Sequence, residues 1–372
     1  MTSKLACLCD YAKGKIAVET LTAHTYISTE NMMPSKGGVV DASSLPSVSF
    51  TQQYKNGDVL VSNIRPYFKK IWQAEYDGGC SNDVLVFRAK KGCVPTFLYY
   101  VLANDVFFNY ATATSKGTKM PRGDKKAIMQ YDVPDFDLNT QNRIAKLLRS
   151  LDAQIETNGK INDNLEQQAK SLYEEMFLNN PDADMVSGTL SDIATITMGQ
   201  SPSGSSYNED SVGEVFYQGR AEFGFRFPTR RLFTTEPKRM AEPGDVLLSV
   251  RAPVGDLNVA YEKCCIGRGL GAIHSKTGDS SFMLYTMFAL KPQLDVFNGE
   301  GTVFGSINRD GLSNLPVNIP SAEEIAKFEA VVRPMDNLIR ANYEEICRLQ
   351  STRDSLLPKL MSGEIDVSDI QL

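Results

Sequence analysis

The stretch QNRIAKLLRSLDAQIETNGKINDNLEQQAKSLYEEM, residues 141–176, decides the fold because its apolar side chains recur at helical spacing. From Ile144 the positions step alternately by four and three residues, which is the spacing of a heptad seam. This pattern predicts a long helix that buries one stripe of side chains on a second helix. The seam positions are Ile144, Leu148, Leu151, Ile155, Asn158, Asn162, Leu165, Ala169, Leu172 and Met176.

A second stretch near the end of the chain repeats this seam position by position, so two like helices are expected to pack on each other. Asn158 and Asn342 occupy equivalent positions, and a polar residue in a seam typically fixes register at some cost in stability. We expect Pro334 to begin or kink the second helix and Gly363 to follow its end as a cap. The second seam consists of Phe328, Val332, Met335, Ile339, Asn342, Ile346, Leu349, Arg353, Leu356 and Leu360.

The repeat extends beyond the helices to the segments that precede them. NGDVLVS at 56–62 recurs as PGDVLLS at 243–249, and GTKMPRGDKKAIMQYDVP at 117–134 aligns with GTVFGSINRDGLSNLPVN at 301–318. The period, about half of the chain, is far too long for a solenoid and indicates duplication of a whole domain with its helix.

Each copy combines short strands, bounded by Gly, Pro, Asn and Asp, with an apolar helical run, so the fold class is α/β (α+β). The sequence therefore predicts two tandem domains of this class, separated by two long antiparallel coiled-coil helices in a pseudo-two-fold repeat. The predicted division is domain 1 at 1–138, a helical spacer at 139–178, domain 2 at 179–320, a second helical spacer at 321–362 and a tail at 363–372.

Helices of this length have a geometric consequence. At about 1.5 Å per residue, 35–40 residues span roughly 50–60 Å. Successive major-groove faces of duplex DNA lie about 34–36 Å apart, so two domains at the ends of such a spacer could contact two short half-sites. A tandem protein that its helices merely hold together fits the same geometry, and the sequence pattern leaves both interpretations open.

Charge is distributed unevenly along the chain. The net charge of −6 disfavours DNA as a partner at first sight, yet residues 1–138 carry 16 basic against 13 acidic side chains. Basic residues also cluster with glycine and polar residues at 115–126, and with glycine and aromatic residues at 219–239, a pattern typical of nucleic-acid contacts. The candidate DNA-binding residues are Arg65, Lys116, Lys119, Arg122, Lys125, Lys126, Arg220, Arg226, Arg230, Arg231, Lys238, Arg239 and Arg251. Phe223, Phe225 and Phe227 alternate as a half-buried strand does, which favours core packing over base stacking.

Several classes of function are disfavoured. The seven cysteines form no CxxC pair, and neither His24 nor His274 has a neighbouring cluster at ligand spacing, so no catalytic residue and no metal site is predicted. The sequence contains neither an Asn/Asp-Pro-Pro-aromatic motif nor a GxxxxGK[ST] phosphate loop. Without a signal peptide or a long apolar run, we expect a cytoplasmic protein with no membrane contact.

Three stretches carry a family resemblance. QNRIAKLLRSLDAQIETN (141–158), FEAVVRPMDNLIRANYEEICRLQSTRDSLLPKLMSGEI (328–365) and ITMGQSPSGSSYNED (196–210), together with the order domain, helix, domain, helix, resemble the specificity subunit of type I restriction–modification systems. The resemblance covers essentially the whole chain. It implies a non-catalytic subunit with two target recognition domains, each contacting one half of a split, asymmetric sequence in double-stranded DNA.

The same resemblance implies partners. The helices would dock two modification (methyltransferase) subunits, and restriction subunits, which are ATP-driven translocases and nucleases, would join outside them. No cofactor is expected on this chain, because S-adenosylmethionine, ATP and Mg would belong to the partner subunits. Three other hypotheses remain open: a stand-alone bipartite DNA-binding protein, a fused restriction–methylation enzyme, which would need motifs that this sequence lacks, and a scaffold that binds only proteins.

Overall fold

The computed structural model describes residues 2–180, 185–299 and 305–368. The chain divides into two compact units, the first formed by residues 1–158 and 344–372 and the second by residues 159–343. Both divisions fall inside long helices, so each unit contains one domain and one half of each helix. The predicted α/β architecture of tandem domains with long helices is confirmed.

Two helices account for the predicted seams. Helix α5 spans Leu138–Tyr173 and continues as a π-helical turn at Glu174–Leu178, whereas α10 spans Ala322–Ser362. In the first unit the beginning of α5 and the end of α10 share one core, and in the second unit the end of α5 shares a core with the beginning of α10. The helices are therefore antiparallel within each unit, and every predicted seam residue is buried or half-buried.

Asn158 and Asn342, the equivalent asparagines of the two seams, have different partners. In the second unit the Asn342 amide donates to Asn162 Oδ1 at 2.8 Å in a buried contact. In the first unit the Asn158 amide donates to Glu345 Oε2 at 3.1 Å. Antiparallel packing thus places equivalent asparagines opposite different residues, so a buried asparagine pair forms in the second unit.

The expectation that Pro334 begins the second helix is wrong, whereas a kink at this residue stays a prediction. Helix α10 begins at Ala322, and Ser321 Oγ accepts a hydrogen bond from the Glu324 amide at 3.3 Å as an N-cap. Pro334 lies inside the helix, which continues unbroken to Ser362 because seam residues on either side of the proline are buried. Gly363 follows the helix with φ of 75°, a left-handed conformation that glycine adopts readily, as predicted.

Besides its parts of the long helices, the first unit contains ten strands, four short α-helices and two 3-10 helices, Val18–Thr20 and Pro66–Phe68, among its described residues. Three sheets form, with strand orders β1-β10, β2-β9-β6-β7 and β3-β5-β8-β4. The elements are β1 (Thr2–Lys4), α1 (Leu5–Leu8), β2 (Cys9–Tyr11), β3 (Lys15–Ala17), β4 (Tyr26–Ile27), β5 (Phe50–Tyr54), β6 (Val59–Ser62), β7 (Ile71–Gln73), β8 (Gly78–Cys80), β9 (Val84–Ala89), α2 (Pro95–Ala103), α3 (Asp105–Ala113), α4 (Lys125–Ile128) and β10 (Asp132–Pro134).

The second unit repeats this arrangement. Its sheets have strand orders β11-β21, β12-β20-β17-β18 and β13-β15-β14-β19-β16, so the second sheet matches its counterpart strand for strand. The elements are β11 (Met185–Thr189), α6 (Leu190–Ile193), β12 (Ala194–Met198), β13 (Tyr207–Asn208), β14 (Glu214–Tyr217), β15 (Leu232–Thr234), β16 (Met240–Ala241), β17 (Val246–Ser249), β18 (Leu257–Val259), β19 (Cys264–Ile266), β20 (Leu270–Ser275), α7 (Ser280–Ala289), α8 (Lys291–Asp295), α9 (Arg309–Ser313) and β21 (Pro316–Pro320).

A tyrosine in each domain anchors that domain to the helices. In the first unit Tyr100 Oη donates to Asp152 Oδ2 at 2.6 Å. In the second unit Tyr285 Oη donates to Asp336 Oδ1 at 3.0 Å. Asp152 and Asp336 occupy equivalent positions in the two long helices, so duplication has preserved this contact. An arginine also binds each aspartate, Arg353 of α10 in the first unit and Arg226 of a domain loop in the second.

Truncating Leu148 tests the contribution of the helices to the domain cores. Leu148 is fully buried, so Leu148→Ala should lower the free energy of unfolding of the first unit by about 2–5 kcal/mol, measured by denaturant titration. Lys146→Ala, an exposed change in the same helix, should shift it by no more than about 0.5 kcal/mol. Equal effects of the two substitutions would contradict burial of this helix face in a core.

Candidate nucleic-acid interface

The same loop arrangement follows the central strand of each domain. In the first unit the Arg65 amide donates to the Pro121 carbonyl at 2.8 Å, and Ile64 forms a β-bridge with Arg122. In the second unit Arg251 forms the equivalent bridge with Ser306. We call these contacts the first loop junction, residues 63–65 with 115–126, and the second loop junction, residues 250–253 with 305–308. Residues 300–304, in the second copy of this loop, lie outside the described residues.

Close packing fixes the first loop junction. Lys116 and Arg122 exchange backbone hydrogen bonds of 2.9 Å in both directions, which closes the loop into a hairpin. Gly123 lies against the strand end, where an added Cβ would stand 2.8 Å from Asn63 Oδ1. Arg65 has φ of 49°, a left-handed conformation that costs a non-glycine residue about 1–2 kcal/mol. The backbone therefore holds Arg65 in a strained position, and strain of this kind often marks functional sites.

The predicted cations of this junction differ in their surroundings. Lys116 Nζ lies 2.5 Å from Asp124 Oδ2 and holds the pKa of this carboxyl at about 2. Arg122 lies 3.1 Å from Asp83. The other four cations are exposed, and within the described ranges no ion pair neutralises them: Arg65, Lys119, Lys125 and Lys126. These four side chains carry the uncompensated positive charge at this junction.

The second loop junction forms one side of an open cleft of about 630 Å³. Arg251 and Arg268 both line this cleft, and both are exposed. Arg268 was missing from the sequence prediction, although its position between two glycines, in the turn after β19, is a signal that could have identified it. Gly199 packs against this turn so closely that a Cβ would lie 2.1 Å from the Gly267 carbonyl oxygen. The MGQS segment thereby supports the turn that carries Arg268.

Several predicted cations of the second unit are paired with acidic side chains. Arg220 pairs with Asp256 and Arg230 with Glu262, whereas Arg231 lies 2.5 Å from Glu222. By contrast, Lys238, Arg239 and Arg251 are exposed and form no ion pair with another described residue. Because acidic side chains partly compensate the paired arginines, the unpaired cations attract DNA phosphates more strongly.

The prediction for Arg226 is wrong, because this side chain is 3% exposed and cannot contact DNA in this structure. Its guanidinium donates to Asp336 at 2.8 Å and to Glu166 at 2.9 Å. Burial acts to lower the Arg226 pKa, but the neighbouring Tyr285, Asp336 and Glu166 outweigh it and raise the pKa. Arg226 is therefore a charged structural link between its domain and both helices of the second unit.

The expected strand at 223–227 is also absent. These residues follow a short 3-10 helix at Arg220–Glu222 and run as an irregular segment. Phe227 is buried, Phe223 packs against the edge of a core, and Phe225 is 49% exposed. Gly224 and Pro228 explain the difference, because both residue types interrupt regular strands.

Each histidine contacts one aspartate. His24 contacts Asp41 at 2.9 Å on the surface, and His274 contacts Asp245 at 2.6 Å. Within residues 2–180, 185–299 and 305–368, no three His, Cys, Asp or Glu side chains are placed to hold a metal ion. No helix in these ranges has both the length and the apolar composition needed to cross a membrane.

Comparison with known proteins places both copies of the repeat in one family. The model of the type I restriction modification DNA specificity domain matches residues 25–167 and again residues 183–346. Each match includes one loop junction and part of a long helix. The duplication inferred from the sequence is therefore present as two copies of one recognised domain.

Individual relatives agree with this assignment. A protein named as the specificity subunit of the type I restriction enzyme MjaX, from Methanocaldococcus jannaschii, is 29% identical over 338 residues, covering 84% of this chain and 79% of that protein. The MjaIX specificity subunit of the same organism is 23% identical over 313 residues, covering 76% of this chain and 71% of that protein. The crystal structure of a type I system S subunit from M. genitalium shares the fold, with a TM-score of 0.63 at 17% identity, covering 97% of this chain and 96% of that chain.

Replacing Arg226 tests its assignment as a structural residue. Arg226→Ala leaves Glu166 and Asp336 without their shared cation, so the free energy of unfolding of the second unit should fall by about 3–5 kcal/mol. Arg230→Ala removes a surface pair and should cost no more than about 1 kcal/mol. Denaturant titration measures both variants. A small effect of Arg226→Ala, comparable to that of Arg230→Ala, would contradict the buried link.

Proposed function

The chain belongs to the type I restriction–modification DNA specificity family, and from this membership we propose that it is the DNA recognition subunit of such a complex, with each domain contacting one half of a bipartite, asymmetric target. The observation that carries the proposal is the repeated loop junction. One junction occurs in each domain, at the same place in the fold, and each displays exposed cations.

The two junctions favour different half-sites. Their equivalent bridges join Ile64 to Arg122 in one unit and Arg251 to Ser306 in the other, so the arginine within the bridge comes from opposite strands. An arginine can bind guanine O6 and N7 with two hydrogen bonds, whereas lysine more often contacts phosphate. Different placement of arginine within one framework supports an asymmetric target.

Partner subunits follow from the same proposal. We assign the docking of two modification subunits to the outward faces of the long helices, and the catalytic steps and their cofactors, S-adenosylmethionine, ATP and Mg, to the modification and restriction subunits. Val331 and Leu338 support the docking assignment. They are seven residues apart on one face of α10, and their exposed fractions are 49% and 46%. Exposed apolar pairs of this kind are typical of protein contacts.

The unpaired lysines of the first loop junction give an electrostatic prediction. Replacing Lys119, Lys125 and Lys126 with alanine should weaken DNA binding by the assembled complex and flatten its salt dependence. The slope of log affinity against log salt should decrease by about 0.9 for each lost phosphate contact. The preferred sequence should stay the same, because phosphate contacts carry no direct sequence information. Affinity measured from low to moderate salt tests both statements.

A charge-matched control separates local contacts from net charge. Lys13, Lys15 and Lys91 are exposed and lie outside the loop junctions. Replacing them with alanine changes the charge of the first unit by the same amount. If this control and the junction variant flatten the slope equally, the first loop junction is not a DNA contact.

Domain exchange tests the bipartite target. A chimera that replaces residues 179–320 with the matching segment of a related subunit should change one half of the methylated sequence and leave the other half as it was. Methylome sequencing of cells that carry the chimera with its partner subunits measures this result. Simultaneous change of both halves would contradict the assignment of one half-site to each domain.

A further inference from the structure

A loop of the second unit binds to the free edge of its own sheet. Strand β18 is the edge of the sheet β12-β20-β17-β18. The Val259 amide of this strand donates to the Arg226 carbonyl at 2.8 Å, and the Asn258 side-chain amide donates to the Gly224 carbonyl at 2.9 Å. The segment 224–227 thus docks on the edge strand as a bent loop, joined to it by one backbone and one side-chain hydrogen bond.

This loop also fills the space between the domain and the helices of the second unit. Arg226 binds Asp336, and the Phe227 ring packs 5.0 Å from that of Tyr343. The remaining cavity measures about 100 Å³. Besides the loop, its lining includes Gly244, Ser280, Ser281, Leu284, Arg333, Asp336 and Arg340.

The equivalent place in the first unit is open. A cleft of about 770 Å³ lies there, between the domain and the helix halves of that unit. Alignment of the two copies of the repeat relates its lining to that of the filled cavity, position by position. The matching positions are Gly57, Pro95, Thr96, Tyr99, Arg149, Asp152 and Glu156. The two spaces are therefore copies of one site, filled in one unit and vacant in the other.

The edge strand in this cleft has a free backbone donor. Strand β7 is the edge of the sheet β2-β9-β6-β7, and Gln73 occupies the position of Val259. Bonds from Ser62 to Lys70 and from Ala74 to Asp58 set the alternation of the ladder, which directs the Gln73 amide away from β6. Within the described ranges no acceptor binds this amide, whereas the Val259 amide binds Arg226.

The loop that could fill the cleft is held elsewhere. Residues 28–49 connect β4 to β5, and residues 218–239 connect the matching strands β14 and β16. In the first unit the Ser35 and Lys36 amides donate to the carbonyls of Phe68 and Lys69 at 2.8 and 2.9 Å. Lys36 and Lys69 also share Asp105, at 2.9 Å each. The loop is thereby tied to the turn at 65–69 and contributes only residues 35–38 to the lining of the cleft.

We infer that the open cleft of the first unit binds a short loop segment of a partner protein, whose backbone carbonyl accepts a hydrogen bond from the Gln73 amide of β7 and whose aromatic side chain inserts between the domain and the helices. The occupant of the matching site, Gly-Phe-Arg-Phe at 224–227, defines this chemistry. Backbone hydrogen bonds to an exposed sheet edge are a common element of peptide recognition. Arg353 already binds Asp152 in this unit, so the aromatic side chain rather than an arginine is the anchor of the segment.

The fluorescence of one tryptophan can report binding at this site. Trp72 lines the cleft and is the single tryptophan of the sequence. Titrating the full-length chain with a synthetic peptide of residues 222–230, EFGFRFPTR, should shift Trp72 emission to shorter wavelength in a saturable way. The same peptide with both flanking phenylalanines, equivalent to Phe225 and Phe227, replaced by alanine should bind at least about tenfold more weakly. Absence of a saturable change with the first peptide would overturn the inference.

A matched pair of variants tests the hydrogen bond to the Gln73 amide. Gln73→Pro removes the edge donor, and proline is tolerated at sheet edges, whereas Gln73→Ala keeps the donor. The proline variant should bind the peptide about tenfold more weakly or worse, and the alanine variant should bind as the natural chain does. Circular dichroism and thermal unfolding check that both variants fold. Equal peptide affinity of the two folded variants would overturn the proposed mode.

DNA binding separates this inference from the proposed function. Gln73 is not part of either loop junction, so Gln73→Pro should leave the DNA affinity of the chain unchanged. Failure of DNA recognition would leave the peptide result standing, and loss of the peptide response alone would reject only the cleft assignment.

Discussion

Each of the two domains completes its core with one half of each long helix, and this packing is the constraint on which the other features of the structure depend. Phe328, Val332 and Ala169 of the helices are fully buried among residues of the second domain. Leu148 and Leu360 are buried in the same way in the first. Because burial of apolar area is the dominant favourable term in folding, neither domain is a self-sufficient body attached to a linker. The helices determine how the loop junctions are supported.

Features repeated along the chain could be predicted from the sequence. The heptad seam and the GDVL strands depend on local periodicity, and the duplication shows each of them twice. Arg226 could not be predicted in the same way, because it stands in a run of basic residues that is typical of a surface. Its burial depends on Glu166 and Asp336, which lie 60 and 110 residues away along the chain. Side chains that meet only through tertiary packing leave no periodic signal.

The candidate DNA contacts show the same limit. Sequence identifies cations, but their effective charge depends on acidic partners that folding brings near. Arg230 meets Glu262 across 32 residues, whereas Lys119 and Arg251 meet no acidic partner in the described ranges. Arg268 escaped prediction because a single arginine between glycines lacks the clustering that marked the other candidates. The structure therefore removes Arg226 from the candidate DNA contacts, pairs several other candidates with acidic side chains, and adds Arg268.

The different sources of the arginine that binds the helix aspartate have a consequence for exchange of domains between related chains. In the first unit Tyr100 donates to Asp152, which also binds Arg353. Both charged residues belong to the long helices, so a domain transferred into this position needs to supply only the tyrosine hydroxyl. In the second unit the guanidinium belongs to the domain. A domain transferred into this position without such an arginine would leave two half-buried carboxylates without the cation that they share. Recombination is therefore more permissive at the first position, and successful exchanges at the second should be enriched in domains that carry their own arginine.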